Sequence, residues 1–147
     1  MAQPTQADEK ARAIAEHMHA REGTSPAWGL KIEEVWEGGA RVSMRLKDEM
    51  LNGYRNAHGG MIFALADTAF AYACNSRNQM TVAQQASISF LSPGAPGEKL
   101  TAEAREEGTA GRSGVYVVKV TGEDDRVVAM FQGLSRSLGR AVIEDDE

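Results

Sequence analysis

One cysteine, Cys74, is all the sulfhydryl chemistry that the 147 residues offer, so no intrachain disulfide can form. Basic residues are also scarce: 16 Lys and Arg stand against 21 Asp and Glu, for a net charge of −5. No Lys/Arg cluster exceeds an isolated pair, which argues against a nucleic-acid partner. Long apolar runs are missing too. The most apolar stretch, Met61 to Cys74, is about 14 residues and carries Asp67, short of the roughly 20 needed to cross a bilayer. Met1 to Gln6 shows no basic segment ahead of an apolar run, so the expectation is a cytoplasmic protein without a membrane partner. Three histidines, His17, His19 and His58, with a single cysteine fall short of a metal-ligand set, and no metal is expected. A Gly-x-Ser-x-Gly elbow is absent, which leaves a serine hydrolase without support.

What remains is one domain with a full core. Asp8 to Ala20 reads as a helix with Asp8 as its cap and a narrow apolar stripe of Ala11, Ile14, Ala15 and Met18. Trp28–Glu37 and Arg41–Lys47 read as strands around a Gly38-Gly39 hairpin. A polar loop, Asn52 to His58, precedes the apolar helix. Four more strands follow: Met80–Leu91, Lys99–Glu107, Gly114–Gly122 and Arg126–Arg136. They are punctuated by Pro93–Gly97, by Gly108–Gly111 and by Glu123–Asp125. Consecutive strands joined by short turns imply an antiparallel sheet, and a helix apolar on every side must be wrapped by it. The expected class is α+β: a hotdog fold, with residues 27–138 as the domain, 1–26 as an N-terminal helical extension and 139–147 as an acidic tail.

The helix Gly59 to Cys74 holds one charge, Asp67, on an element bound for a core or an interface. A carboxylate there is costly unless something specific uses it, which makes Asp67 the first functional candidate. Gly59 and Gly60 open the helix, where unpaired N–H groups and the positive end of the dipole meet no blocking side chain. A carboxylate can activate water or attack directly, and a free N–H donor can hold a developing oxyanion.

Asn52-Gly53-Tyr54-Arg55-Asn56-Ala57-His58-Gly59-Gly60 followed by Ala66-Asp67-Thr68-Ala69 resembles the hotdog-fold acyl-CoA thioesterases. Ala69-Phe70-Ala71-Tyr72-Ala73-Cys74-Asn75-Ser76 further resembles the phenylacetyl-CoA thioesterases of bacterial phenylacetate catabolism. The resemblance implies that Asp67 is the catalytic carboxylate and that the Gly59 N–H polarises the thioester carbonyl. Asn52 and His58 would order the loop, the carbonyl or the water, with Gly60 and Thr68 beside the substrate. It implies coenzyme A bound across subunits as part of the substrate, with no separate cofactor, and dimers that pair into homotetramers. It also puts the nucleotide near Gly111-Arg112-Ser113-Gly114, where turn N–H groups and an arginine suit phosphates. Ser89-Phe90-Leu91-Ser92-Pro93 resembles the strand along which the pantetheine arm lies.

Spacing adds an independent point. Gly59 and Asp67 are eight residues apart, about 12 Å along a helix. If both serve one thioester, Asp67 comes from a second subunit and the active unit is at least a dimer. Hotdog dehydratases pair their acid with a histidine five residues on; here that residue is Tyr72. A medium-chain acyl-CoA thioesterase and a non-catalytic acyl-CoA-binding module are the other readings, and thiol release separates the module from the enzymes.

Overall fold

The computed structural model describes residues 3–144; of the expected acidic tail, Asp145, Asp146 and Glu147 lie outside the described residues. Helix α1 runs Gln6–His19. Its cap is Thr5 and not Asp8. The Thr5 hydroxyl accepts from the Asp8 N–H and the Asp8 carboxylate from the Thr5 N–H, both at 3.1 Å. A reciprocal box satisfies two helix-end donors where a single Asp cap satisfies one. The other Asp8 oxygen accepts from the Glu37 N–H at 3.0 Å and ties α1 to the first hairpin. Ala11, Ile14 and Ala15 are buried as their spacing predicts.

A short helix α2, Thr24–Trp28, stands where the sequence reading began the first strand. Gly29 in a left-handed conformation (φ 65°) ends it. Strands β1 (Lys31–Trp36) and β2 (Gly39–Arg45) then pair around Glu37-Gly38, with Gly38 at φ 84°. Helix α3 is Gly59–Cys74, and β3 (Thr81–Phe90), β4 (Lys99–Ala110), β5 (Ser113–Thr121) and β6 (Val127–Ser137) complete the sheet. Gly108 does not end β4 as expected. A bulge between Glu106 and Gly108 absorbs one residue, and the chain turns at Gly111-Arg112.

All pairings are antiparallel, in the order β1-β2-β4-β5-β6-β3. Simple succession of neighbours fails at one point: α3, about 24 Å long, carries the chain across the sheet, so β3 joins the far edge beside β6 and β4 takes the place next to β2. The sheet curls over α3 and buries Ile62, Leu65, Ala66, Ala69, Phe70, Tyr72 and Ala73. This is a hotdog fold. Phe70 meets Tyr116 edge-on at 5.5 Å between ring centroids, and Phe63 meets Phe131 at 5.3 Å. Gly133 leaves room for the Phe70 ring, because a Cβ there would lie 2.7 Å from its Cζ. Gly133→Ala is therefore expected to cost about 1–3 kcal/mol by overpacking, read as a lower Tm. An unchanged Tm would show that the ring yields freely.

The sheet covers only one side of α3. Phe63, Ala64, Asp67, Thr68, Ala71 and Cys74 remain half-exposed, so a helix apolar all round presents an open stripe in the single chain. Among the described residues, no helix is long and apolar enough to cross a membrane.

Candidate active site

The loop before α3 is built around Asn52. Its side-chain oxygen accepts from the Tyr54 N–H at 2.9 Å and the Asn56 N–H at 3.2 Å, and its own N–H donates to the Asn56 carbonyl at 2.8 Å. An Asx turn of this kind leaves the Asn52 amide NH₂ as the group able to reach outward. His58 caps α3: its Nδ1 accepts the Gly60 N–H at 2.9 Å, and its carbonyl accepts from Met61 and Ile62 at 2.9 and 3.2 Å. Nδ1 is thus committed to the helix end.

These bonds divide the two glycines. The Gly60 N–H is taken by His58, whereas the Gly59 N–H has no acceptor among the described residues. Gly59 opens into a cleft of about 400 Å³ lined by Asn52, Ala57, Gly59, Ile62, Phe90 and Leu91, with Asn56, Ser92 and Pro93 at its rim. Two clamps hold that rim. Arg126 donates to the Pro93 carbonyl at 3.0 Å and to the Ser92 hydroxyl at 3.1 Å while paired with Glu98 at 2.9 Å. The Gly94 carbonyl accepts the Ala57 N–H at 2.9 Å, one residue before the cap.

Asp67 does not line this cleft. It stands two turns further along α3 in the half-exposed stripe, about 12 Å on by helical rise. Burial raises its pKa above the ordinary carboxylate value, with no hydrogen bond or charge acting to lower it. The Thr68 hydroxyl bonds back to the Ala64 carbonyl at 2.7 Å. Tyr72 is buried and donates to Glu22 at 2.9 Å, with His19 Nδ1 at 3.2 Å from its oxygen. That network fastens the helical extension to α3 and holds no acid–base partner for Asp67. Burial of Cys74, with Asp67 adding to it, pushes the thiol up to about 12, so it is no nucleophile at neutral pH.

Arg112 and Ser113 sit at the β4–β5 turn beside a recess of about 80 Å³ that Cys74, Gln79 and Thr81 also line. That recess is therefore at the C-terminal end of α3. Asp67 lies between the two places: seven residues, about 10 Å, from Cys74, and eight residues, about 12 Å, from Gly59.

With this geometry, comparison with known proteins becomes informative. A family model described as the thioesterase superfamily matches residues 54–129. Acyl-coenzyme A thioesterase PaaI of Escherichia coli K12 is 40% identical over 133 residues, 90% of this chain and 95% of that protein. The chain belongs to the thioesterase superfamily. The structure of E. coli PaaI, from the phenylacetic acid degradation operon, superposes on this thioesterase with a TM-score of 0.91 at 39% identity. It covers 92% of this chain and 99% of that one. A hypothetical thioesterase of Streptococcus pneumoniae solved with coenzyme A gives a TM-score of 0.73 at 27% identity, over 76% of this chain and 90% of its own.

Arg126 escapes the sequence reading of the thioesterase site, and Phe90 enters it only within the Ser89–Pro93 strand, with no role for its side chain. The signal for Phe90 is two successive apolar residues, Phe90-Leu91, ahead of Ser92-Pro93 at a strand end; both are exposed. Arg126 carries no local signal of its role at the rim: its local partner is Asp124, while Ser92, Pro93 and Glu98 are 28 to 34 residues away.

Proposed function

We propose that this thioesterase hydrolyses aryl- or arylacetyl-CoA thioesters, of which phenylacetyl-CoA is the type, to the free acid and coenzyme A. One observation carries the reading: an unpaired Gly59 N–H opens into a cleft walled by Ile62, Phe90 and Leu91 beside Asn52, while the unpaired carboxylate of the same helix stands about 12 Å away on an uncovered stripe. The two act on one carbonyl when a second copy is laid against that stripe, so the working unit is a two-fold dimer with two composite sites. Each site takes Gly59, Asn52 and the cleft from one subunit. Asp67, and beyond it the Arg112 recess, come from the other. Dimers pair into tetramers, and the enzyme works in the cytoplasm.

In the reaction the Gly59 N–H holds the carbonyl oxygen and strengthens its bond as negative charge develops there. The Asp67 carboxylate takes a proton from water as the water oxygen bonds to the carbonyl carbon. The C–S bond then breaks and the departing thiolate takes the proton back. Direct attack by Asp67 is the competing route, with an anhydride between acyl group and carboxylate that water then opens. Turnover in heavy-oxygen water tests for direct attack, because label enters Asp67 only when water opens the anhydride at the Asp67 carbonyl.

The deciding assay is thiol release across an acyl-CoA panel. Steady release with preference for phenylacetyl-CoA is expected; binding without release overturns the assignment. Arg112→Ala is expected to raise KM for CoA thioesters with kcat little changed, because a remote phosphate contact supplies uniform binding. A short thioester lacking the nucleotide should be unaffected. Equal losses on both substrates would make Arg112 a support for the turn.

A further inference from the structure

We infer that Phe90 is the specificity-determining residue for the acyl group, the wall against which an aromatic ring stacks. The inference rests on the thioesterase reading and adds to it a side chain and a substrate class. Phe90 ends β3 with 53% of its surface exposed, although it is a large aromatic in a chain with few. Its ring packs against Gly59: a Cβ placed there would lie 3.2 Å from Phe90 Cζ and 3.6 to 3.7 Å from the two Cε atoms. A side chain at position 59 would need the Phe90 ring to give by a few tenths of an ångström, so ring and glycine are close neighbours.

The consequence is geometric. A thioester carbonyl held by the Gly59 N–H has the Phe90 ring beside it, because glycine and ring wall the same cleft; we give that side to the acyl group, where the resemblance put the pantetheine arm. Ile62, Ala57 and Leu91 supply the other apolar surfaces. At about 400 Å³ the cleft has ample room for a phenyl group, since a cavity of roughly 150 Å³ already binds benzene. Aliphatic walls alone would accept a hexanoyl chain as well as a ring. An aromatic wall separates them, because offset or edge-on ring pairs gain stability beyond the area they bury. The clamp on Ser92 and Pro93 from Arg126 keeps the strand end that carries Phe90 in place.

The test compares phenylacetyl-CoA with hexanoyl-CoA, similar in size and differing in the ring. Phe90→Leu keeps an apolar side chain and removes the π face; Phe90→Tyr keeps the face. For Phe90→Leu the ratio of kcat/KM, phenylacetyl over hexanoyl, is expected to fall about 2- to 13-fold, the range that ring pairing supports. The readout is the ratio and not either rate alone, and Phe90→Tyr should keep the wild-type ratio. An unchanged ratio in Phe90→Leu overturns the inference, whether both rates fall together, which would make Phe90 a prop for Gly59, or neither moves. A wild type that prefers hexanoyl-CoA overturns the arylacetyl assignment alone. The change in ratio on substitution still decides the role of Phe90.

Discussion

Asp67→Asn is expected to fold as the wild type does and to lose about 10²- to 10⁴-fold in kcat, the range typical of a positioned general base. Asn matches Asp in volume and hydrogen-bonding capacity, so the change removes charge and basicity while packing stays. The loss should appear in kcat and kcat/KM alike. Because burial raises the pKa of Asp67, wild-type turnover should fall with decreasing pH at a point above the ordinary carboxylate value. The stability effect has the opposite sense. A carboxyl group with a raised folded-state pKa favours folding below its unfolded pKa, and that contribution disappears as pH rises through the folded value. At neutral pH the ionised, unpaired carboxylate is thus a cost to the fold, and Asp67→Asn should leave Tm unchanged or higher. A variant keeping more than about a tenth of wild-type kcat, far short of a base's usual effect, would make Asp67 structural.

The parts of this enzyme legible in the sequence are those whose cause is local. The alternation of Val42, Met44 and Leu46, the glycine opening of α3 and the apolar periodicity of α1 depend on neighbours within a few residues, and each lies where its pattern indicates. The errors at Asp8, Trp28 and Gly108 arise where two local signals compete: an Asp against a Thr three residues earlier, a Pro-containing turn against an aromatic strand start, a bulge against a turn. The place of β3 is not a local property at all. It depends on α3 crossing the sheet and on β4 pairing with β2. The site divides the same way. His58 and Gly59 are adjacent in sequence and cooperate at one helix end. Phe90 reaches Gly59 across 31 residues, and only the folded chain brings them together. The separation of Gly59 from Asp67 is legible as well, because both lie on one helix and helical rise alone puts them about 12 Å apart; the composite site proposed above follows from that separation.

Mixed dimers test that architecture directly. Gly59→Pro removes the N–H donor, and α3 can accept it: position 59 is the first helical residue, and His58 already has the extended backbone (φ −61°, ψ 135°) that precedes proline. Its Cβ would meet Phe90 at 3.2 Å, so Gly59→Ala, which puts the same Cβ there but keeps the donor, is the control. Homodimers of Asp67→Asn and of Gly59→Pro should each be nearly inactive. In the heterodimer one site collects both defects and the other neither, so activity should return to about half of wild type per dimer. Arg112→Ala then maps the nucleotide. On the Asp67→Asn chain it should be harmless, because the restored site draws Asp67 and Arg112 from the other subunit. On the Gly59→Pro chain it should raise KM. Heterodimers that form and stay folded without recovering activity would return both groups to a single chain's site. Recovery with the Arg112 effect reversed would keep the composite carbonyl site and move the nucleotide to the subunit that supplies Gly59.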